Sequence, residues 1–233
     1  MAGLSLIAST RPTFTASPKK LSFPIPEGVQ VGDVLLALAM FAAADSFPTP
    51  AGWTVVASDS IGIGAMAILA RVVDGTEGAT LDITPALATN DWMGQMLAYR
   101  NGYPGAIVEN NGLSGFTTTT NALIGGVSCQ QPMNIENVAW WIQPVRTFTP
   151  PAGYAVIDTY STAIAGAAAF LIVTRTTKSS GLLGGVAATL SGNASGVGNR
   201  QVLRDRPPVV PTELSDPVPG NIGLLGKDTR IGH

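Results

Sequence analysis

The chain has 233 residues, of which only 12% are Asp, Glu, Lys or Arg and 45% are hydrophobic, with a formal net charge of −2. Disordered chains combine low hydrophobicity with high net charge, so this composition excludes a largely disordered protein. The acidic and basic residues nearly balance, which argues against the basic surface of a nucleic-acid-binding protein.

The length also sets limits on the architecture. A single all-β sandwich can reach this size, and a fold of this mass buries about 70% of its extended-chain surface. Cys129 is the only cysteine, which excludes an intrachain disulfide and a cysteine-based zinc site. The longest apolar runs, Val34–Ala44 and Ala163–Val173, are too short for a membrane helix of ~20 residues. No signal peptide is evident, so we expect a soluble chain made in the cytoplasm.

Short apolar runs separated by Gly and Pro predict strands along the chain. Thr80–Thr84 alternates cleanly, with Leu81 and Ile83 facing inward and Asp82 outward. The continuous apolar run of Val34–Phe41 predicts a strand buried on both faces. The predicted strands are Val34–Phe41, Trp53–Ser58, Ala65–Val73, Thr80–Thr84 and Trp92–Arg100.

An internal repeat divides the chain into two related halves. Pro50–Val56, with the sequence PAGWTVV, returns about a hundred residues later as PAGYAVI in Pro151–Ile157. Before each copy, Gly32–Leu36 aligns with Glu136–Trp140. Because one such unit cannot bury its apolar face alone, two units should face each other as the sheets of a sandwich. We therefore predict an all-β, jelly-roll-like sandwich over residues 1–206, with halves at about 20–105 and 120–206.

The aromatic residue after each repeated turn has a predicted structural role. Trp53 and Tyr154 directly follow the Pro-Ala-Gly turns. Pro and Gly favour the backbone angles of a tight turn, and the aromatic ring can then plug the corner of the sandwich. We predict that both rings pack inside the fold and do not contact a ligand.

Residues 207–233 differ from the rest of the chain. Five of the first thirteen are proline, which predicts an extended arm and not a strand. An apolar tip follows, with Ile222, Leu224 and Leu225, and it is too short to form a core. We predict that this tip docks on a neighbouring subunit.

Catalytic patterns are missing from the sequence. His233 is the only histidine, so paired nucleophile–histidine sites and histidine metal sites are not expected. Neither a Gly-x-Ser-x-Gly elbow nor a phosphate-binding loop is present. Two pairs of acids could be neighbours, Asp82 with Asp91 and Asp45 with Asp59, but their spacing does not single out a glycosidase site. We predict no enzymatic activity, no cofactor and no metal.

Two further patterns have ordinary structural interpretations. Gly62–Gly64 and Gly196–Gly198 lack the third glycine and the helix of a dinucleotide loop, so they are predicted to be turn glycines. Arg200, Arg204 and Arg206 precede a proline pair and are predicted to form a solvated domain boundary.

Trp140 and Trp141 are adjacent, so on a strand their side chains point to opposite faces. One is predicted to lie in the core. The other can be exposed and bind a partner, because exposed tryptophans are frequent hot spots of interfaces. Trp141 is our candidate for this assembly contact.

The order of these motifs resembles a domain common in virion proteins of tailed bacteriophages. Those domains share a Gly-Asp pair before a hydrophobic run, a Pro-x-Gly-Trp turn and a later Tyr-Arg pair. The second half departs from this pattern, with Tyr154 in place of the tryptophan and no Gly-Asp pair. The matching segments are Pro26–Ala37, Pro50–Val56, Ala67–Val73, Leu97–Arg100 and Val202–Arg204 with Pro207.

The resemblance implies a structural role in a phage particle, as a head decoration or fibre protein or a minor tail protein. The expected partners are other virion proteins and further copies of the chain, without nucleic acid or membrane. The low charge suits a surface that faces other protein. The alternative is a carbohydrate-binding module for a host-surface glycan, which an exposed row of aromatic side chains would favour. A glycan-degrading enzyme is a third hypothesis, disfavoured by the missing carboxylate pair.

Overall fold

The computed structural model describes residues 3–16, 19–41, 48–62, 64–84, 92–101, 109–110, 112–129, 135–162, 168–176 and 181–204. Every helix or strand in these ranges is a β-strand, which confirms the all-β prediction. The strands are β1 (Ser5–Thr10), β2 (Thr13–Ala16), β3 (Lys19–Pro24), β4 (Val34–Phe41), β5 (Thr54–Ile61), β6 (Gly64–Val72), β7 (Thr80–Ile83), β8 (Trp92–Arg100), β9 (Glu109–Asn110), β10 (Ser114–Ile124), β11 (Val127–Cys129), β12 (Ile135–Gln143), β13 (Phe148–Thr149), β14 (Ala155–Ser161), β15 (Ala169–Thr176), β16 (Gly181–Leu183) and β17 (Val186–Leu203).

The strands form two large antiparallel sheets with the same strand order. The first sheet has the order β1-β8-β4-β6-β5, and the second has β10-β17-β12-β15-β14. Strands that occupy the same position in the two sheets also follow one another in the same order along the chain. The chain therefore completes one large sheet before it starts the other. The fold shares two packed sheets with a jelly roll, but its strand order differs from that of a jelly roll. Each sheet also begins with a strand, β1 or β10, that starts before the predicted limits of its half.

Several strands have the predicted bounds and faces. The predicted segment Val34–Phe41 coincides with β4, and all eight of its residues are buried. In β7, Leu81 and Ile83 are buried and Asp82 is exposed, as the alternation predicts. Trp92–Arg100 is a strand because it is the neighbour of β4 inside the first sheet, where residues on both faces are covered.

The register of the strands shows which residues correspond between the halves. A bulge interrupts β5 between Val55 and Ala57, and another interrupts β14 between Val156 and Asp158, 101 positions later. On β4, Leu35 lies opposite Arg71, whereas on β12 the residue opposite Arg175 is Glu136. Leu35 and Glu136 are therefore equivalent, also 101 positions apart.

The predicted alignment of Gly32–Leu36 with Glu136–Trp140 is wrong by three positions. It would equate Leu36, which faces the core between the sheets, with Trp140, which faces the opposite side. A shift by an odd number of residues turns every side chain of a strand to the other face. The structure instead places Asn137 where the first half has Leu36.

The core between the two sheets combines side chains of both halves. Leu38 and Met40 of β4 share it with Trp141 of β12 and Phe170 of β15. Its other members include Val34, Leu36, Met66, Ile68, Met93, Leu97, Tyr99, Ala139, Ile172 and Val197. Packing of one inner face from each sheet confirms the predicted sandwich.

The outer face of each large sheet is covered as well. On the first sheet, the three-stranded sheet β2-β3-β7 contributes residues such as Phe23 and Leu81 to an outer core. On the second sheet, the first part of β17, with β10 and β13, covers Trp140. Trp140 and Trp141 are both buried, so the prediction that one of them is exposed is wrong. The alternation of side chains along a strand correctly predicted that the two tryptophans point to opposite faces. The strands that cover Trp140 are distant in sequence, so no local pattern predicted them.

Glycines occur where neighbouring strands leave no space for a side chain. A Cβ atom on Gly94 would lie 2.0 Å from the Leu38 carbonyl oxygen, and one on Gly196 would lie 2.1 Å from the Trp141 carbonyl oxygen. Gly196 and Gly198 therefore lie inside β17, and the prediction that they are turn glycines is wrong.

We expect Gly94→Ala to destabilise the fold by about 1–3 kcal/mol or more, because the added methyl group overlaps backbone that cannot move alone. Urea unfolding followed by tryptophan fluorescence measures the loss. Gly62→Ala is the matched control, since nothing lies within 4 Å of a Cβ at that exposed turn. Equal stability of the two variants would contradict this explanation.

Candidate functional site

The two halves differ most clearly on the outer face of the second sheet, where charged groups are buried. Glu136 and Arg200 are both 0% exposed. The register makes Leu35 the equivalent of Glu136 and Met96 the equivalent of Arg200, and both are buried apolar residues. Because the first half forms the same sheet without these charges, the sheet itself does not require them. Functional sites are expected where buried charged groups interrupt an apolar core.

The buried carboxylate of Glu136 is the centre of a polar network. Arg200 Nε lies 2.7 Å from Glu136 Oε1, and Arg175 Nε donates to Oε2 at 2.7 Å. The Tyr154 hydroxyl donates to the same Oε1. Arg200 Nη1 also donates to the carbonyl oxygen of Gly184 at 2.5 Å. One carboxylate between two guanidinium groups leaves this network with a net charge of +1.

Tyr154 and Arg175 connect the network to the surface. The Arg175 guanidinium lies 4.6 Å from the centre of the Tyr154 ring, within the range of a cation–π contact. Burial, together with the hydrogen bond to Glu136, raises the pKa of the Tyr154 hydroxyl well above its usual range. Tyr154 is therefore a neutral hydrogen-bond donor at physiological pH.

An open pocket of about 360 Å³ lies beside this pair. Its lining contains one charged side chain, Arg175, and no carboxylate, hydroxymethyl, thiol or imidazole group. Such a lining can bind a partner through apolar contacts and guanidinium donors. The lining residues are Pro151, Ala152, Tyr154, Arg175, Gly184, Gly185, Val186 and Ala187.

Two exposed leucines lie next to the segment that lines the pocket. Leu123 is 52% exposed and lies opposite Ala187, a lining residue, in the β10–β17 ladder. Side chains of directly opposed residues in a ladder point to the same face of the sheet. Leu182 is 79% exposed and immediately precedes the Leu183–Val186 connection. We name the pocket with Leu123 and Leu182 the acceptor surface.

The repeated turns have the same geometry in both halves. The Trp53 amide donates to the Pro50 carbonyl at 3.1 Å, and the Tyr154 amide donates to the Pro151 carbonyl at 3.3 Å. The preceding glycine of each turn has a positive φ, a conformation that favours glycine. Trp53 is buried in the outer core of the first sheet, whereas Tyr154 is half-buried and contacts the network described above.

The other predicted site residues have different positions. Trp141 lies in the core between the sheets, 1% exposed, so it offers no surface for an assembly contact. Arg200 is buried in an ion pair, so the prediction that it belongs to a solvated boundary is wrong. The apolar tip, Ile222, Leu224 and Leu225, lies outside the described residues, and its docking stays a prediction.

Each acidic pair considered from the sequence has only one member among the described residues. Asp82 pairs with Lys20 at 2.9 Å, and Asp59 accepts a hydrogen bond from the Leu113 amide at 3.2 Å. Asp45 and Asp91 lie outside the described residues.

Glu136 is not among the site residues predicted from the sequence. The available signal was a single acid inside the otherwise largely apolar segment Ile135–Ile142. A carboxylate in a strand buried on both faces requires a cationic or hydrogen-bonding partner. Its partners are 39 and 64 positions away in the sequence (175 − 136 and 200 − 136), so their identity depends on the strand order.

No protein-family model, curated protein sequence or solved structure matches this chain. Within the part of the chain that the structure describes, there is no helix able to cross a membrane. The same part contains no group of three or more His, Cys, Asp or Glu residues placed to hold a metal ion.

Proposed function

We propose that this protein is a structural component of a bacteriophage particle, a head decoration or fibre protein or a minor tail protein, that assembles through protein–protein contacts. The resemblance of its motif order to phage virion domains motivates the proposal. The observation that carries it is a surface with little unpaired charge and with exposed apolar side chains.

Most basic side chains of the described residues form ion pairs within the chain, although Glu136 balances the charge of only one of its two arginines. Lone exposed charges that would keep a free monomer apart from its neighbours are therefore few. The ion pairs are Arg11–Asp158, Lys20–Asp82, Arg71–Asp74, Arg71–Glu77, Arg100–Asp33, Arg175–Glu136 and Arg200–Glu136.

Apolar side chains are exposed at several places in both halves of the chain. Val31 is 76% exposed and Leu182 is 79% exposed, and Leu123 and Val156 are about half exposed. Single exposed apolar residues are common, but Leu123 and Leu182 adjoin one pocket, and clustered apolar surface is typical of contact sites. The lining of that pocket, which lacks a catalytic pair, supports a binding role over an enzymatic one.

The alternative function, binding of a host glycan, has less support. It would need a row of exposed aromatic side chains. All four tryptophans belong to the described residues, and none is more than 8% exposed. The half-buried Tyr154 ring is already covered on one side by Arg175.

The proposed function predicts that the chain is found in purified virions of a phage that encodes it. Mass spectrometry of the particles detects the chain, and cryo-electron microscopy distinguishes a capsid-surface lattice from tail density. Its absence from purified particles would contradict the proposed function.

We further expect truncation after Arg206 to abolish incorporation, because the removed arm carries the apolar tip. The melting temperature should be nearly unchanged, since both sheets end before that residue. Complementation of a deletion phage with full-length and truncated chains, followed by quantification in purified particles, measures this effect. Incorporation of the truncated chain at the full-length level would show that the arm is dispensable.

A further inference from the structure

We propose that the acceptor surface binds residues 222–225, Ile-Gly-Leu-Leu, from the arm of a second copy of this chain. This inference rests on the proposed assembly function and specifies its contact. It follows from the apolar character of the acceptor surface, from the donors of Arg175, and from the place where the chain leaves the described fold.

The acceptor surface is apolar at its rim and lined by backbone at its base. Leu123 and Leu182 provide the rim, and Gly184 and Gly185 line the pocket without side chains. Gly126 allows the segment after Leu123 to lie close to the segment after Leu182, because a Cβ on Gly126 would lie 2.6 Å from the Leu183 carbonyl oxygen. A short segment with Ile and Leu side chains and a glycine, such as residues 222–225, matches the apolar character of this surface.

Arg175 provides the polar part of the contact. Its Nε donates to Glu136, and about a third of the side chain is exposed beside the pocket. A guanidinium has five N–H donors in a fixed plane, so the outer part of Arg175 can donate to carbonyl oxygens of an extended peptide. The ion pair with Glu136 and the stacking on Tyr154 hold the guanidinium in place before a partner binds.

The arm starts at the same end of the second sheet as the pocket. Near the end of β17, Val202 lies opposite Glu136 in the ladder, and the Glu136 carboxylate contacts the pocket residues Tyr154 and Arg175. The last described residue, Arg204, therefore lies close to the acceptor surface of its own chain, and 29 residues follow it in the sequence (233 − 204 = 29).

The proline content of the arm favours a second copy as the source of the segment. Residues 207–219 include five prolines, and an extended spacer of this kind covers ~3.1 Å per residue, about 40 Å in all. We expect a spacer of this composition to be stiff and to place the apolar tip away from the pocket of its own chain. The tip then reaches the acceptor surface of a neighbour, and such head-to-tail contacts close into a ring or continue as a filament.

Three variants of the full-length chain test the contact by sedimentation and light scattering. Leu182→Asp alters the acceptor surface, and Leu224→Asp alters the apolar tip. Val31→Asp is the control, because it adds the same charge at an equally exposed valine of the first half. We expect the unmodified chain and Val31→Asp to form oligomers at micromolar concentration, and the other two variants to be monomers.

Mixing the two monomeric variants identifies the partner. The Leu182→Asp chain retains an intact arm, and the Leu224→Asp chain retains an intact acceptor surface, so the mixture should form one-to-one heterodimers. A monomeric unmodified chain, oligomers of Leu182→Asp, or a mixture that stays monomeric would each overturn the proposal. Because these measurements use the chain in solution, they can fail while the chain is still found in virions, and the proposed function is tested separately.

Discussion

Replacing Glu136 by leucine is expected to destabilise the protein by about 3–5 kcal/mol, because the change leaves a fully buried guanidinium without its carboxylate. Arg200 is 0% exposed and cannot turn to water without opening the outer core of the second sheet. Urea unfolding monitored by circular dichroism gives the free energy of unfolding. Lys20→Met, which breaks an exposed ion pair, is the control and should cost less than about 1 kcal/mol.

The first half of the chain suggests the compensating change. Leu35 and Met96 occupy the places of Glu136 and Arg200, and both are fully buried. Replacing a buried ion pair by apolar residues of similar volume is often neutral or stabilising. The double variant Glu136→Leu/Arg200→Met should therefore be more stable than Glu136→Leu, although Tyr154 and Arg175 still lose their acceptor. A double variant less stable than Glu136→Leu would contradict the equivalence of the two positions.

Replacing Trp53 by alanine is expected to cost about 3–5 kcal/mol. The indole is only 8% exposed and packs in the outer core of the first sheet, so its removal leaves a cavity between layers. Thermal and urea unfolding, compared with the unmodified chain, measure the loss. An unchanged melting temperature would exclude the role of Trp53 as a corner plug.

Two variants of Tyr154, the equivalent residue of the second half, measure the contributions of ring packing and of the hydroxyl hydrogen bond separately. Tyr154 is half-buried, so Tyr154→Ala should cost less through packing than Trp53→Ala. Tyr154→Phe keeps the ring and removes only the donor to Glu136, at an expected cost of about 1.5–3 kcal/mol, typical of a hydrogen bond to a charged group. If Tyr154→Phe were as stable as the unmodified chain, the hydroxyl would contribute nothing to the network.

The amino-acid sequence alone determined several strands of the first half and the inward face of β7. Val34–Phe41 has the predicted bounds, and Leu81 and Ile83 have the predicted orientation, because strand formation and the alternation of faces depend on neighbouring residues. The repeated Pro-Ala-Gly turns also indicated two facing sheets, since the same local sequence favours the same turn.

Only the tertiary structure decided what covers each face and which distant residues meet. Trp141 is buried in the core between the sheets, whereas Trp140 is buried because β10, β13 and the first part of β17 cover the outer face of the second sheet, a layer that no local pattern predicts. Glu136 and Arg200 are 64 positions apart (200 − 136) and form an ion pair because β12 and β17 are neighbours in the sheet. Burial on the outer face and contacts between strands depend on chain topology, so the polar network and its pocket could be found only from the assembled fold.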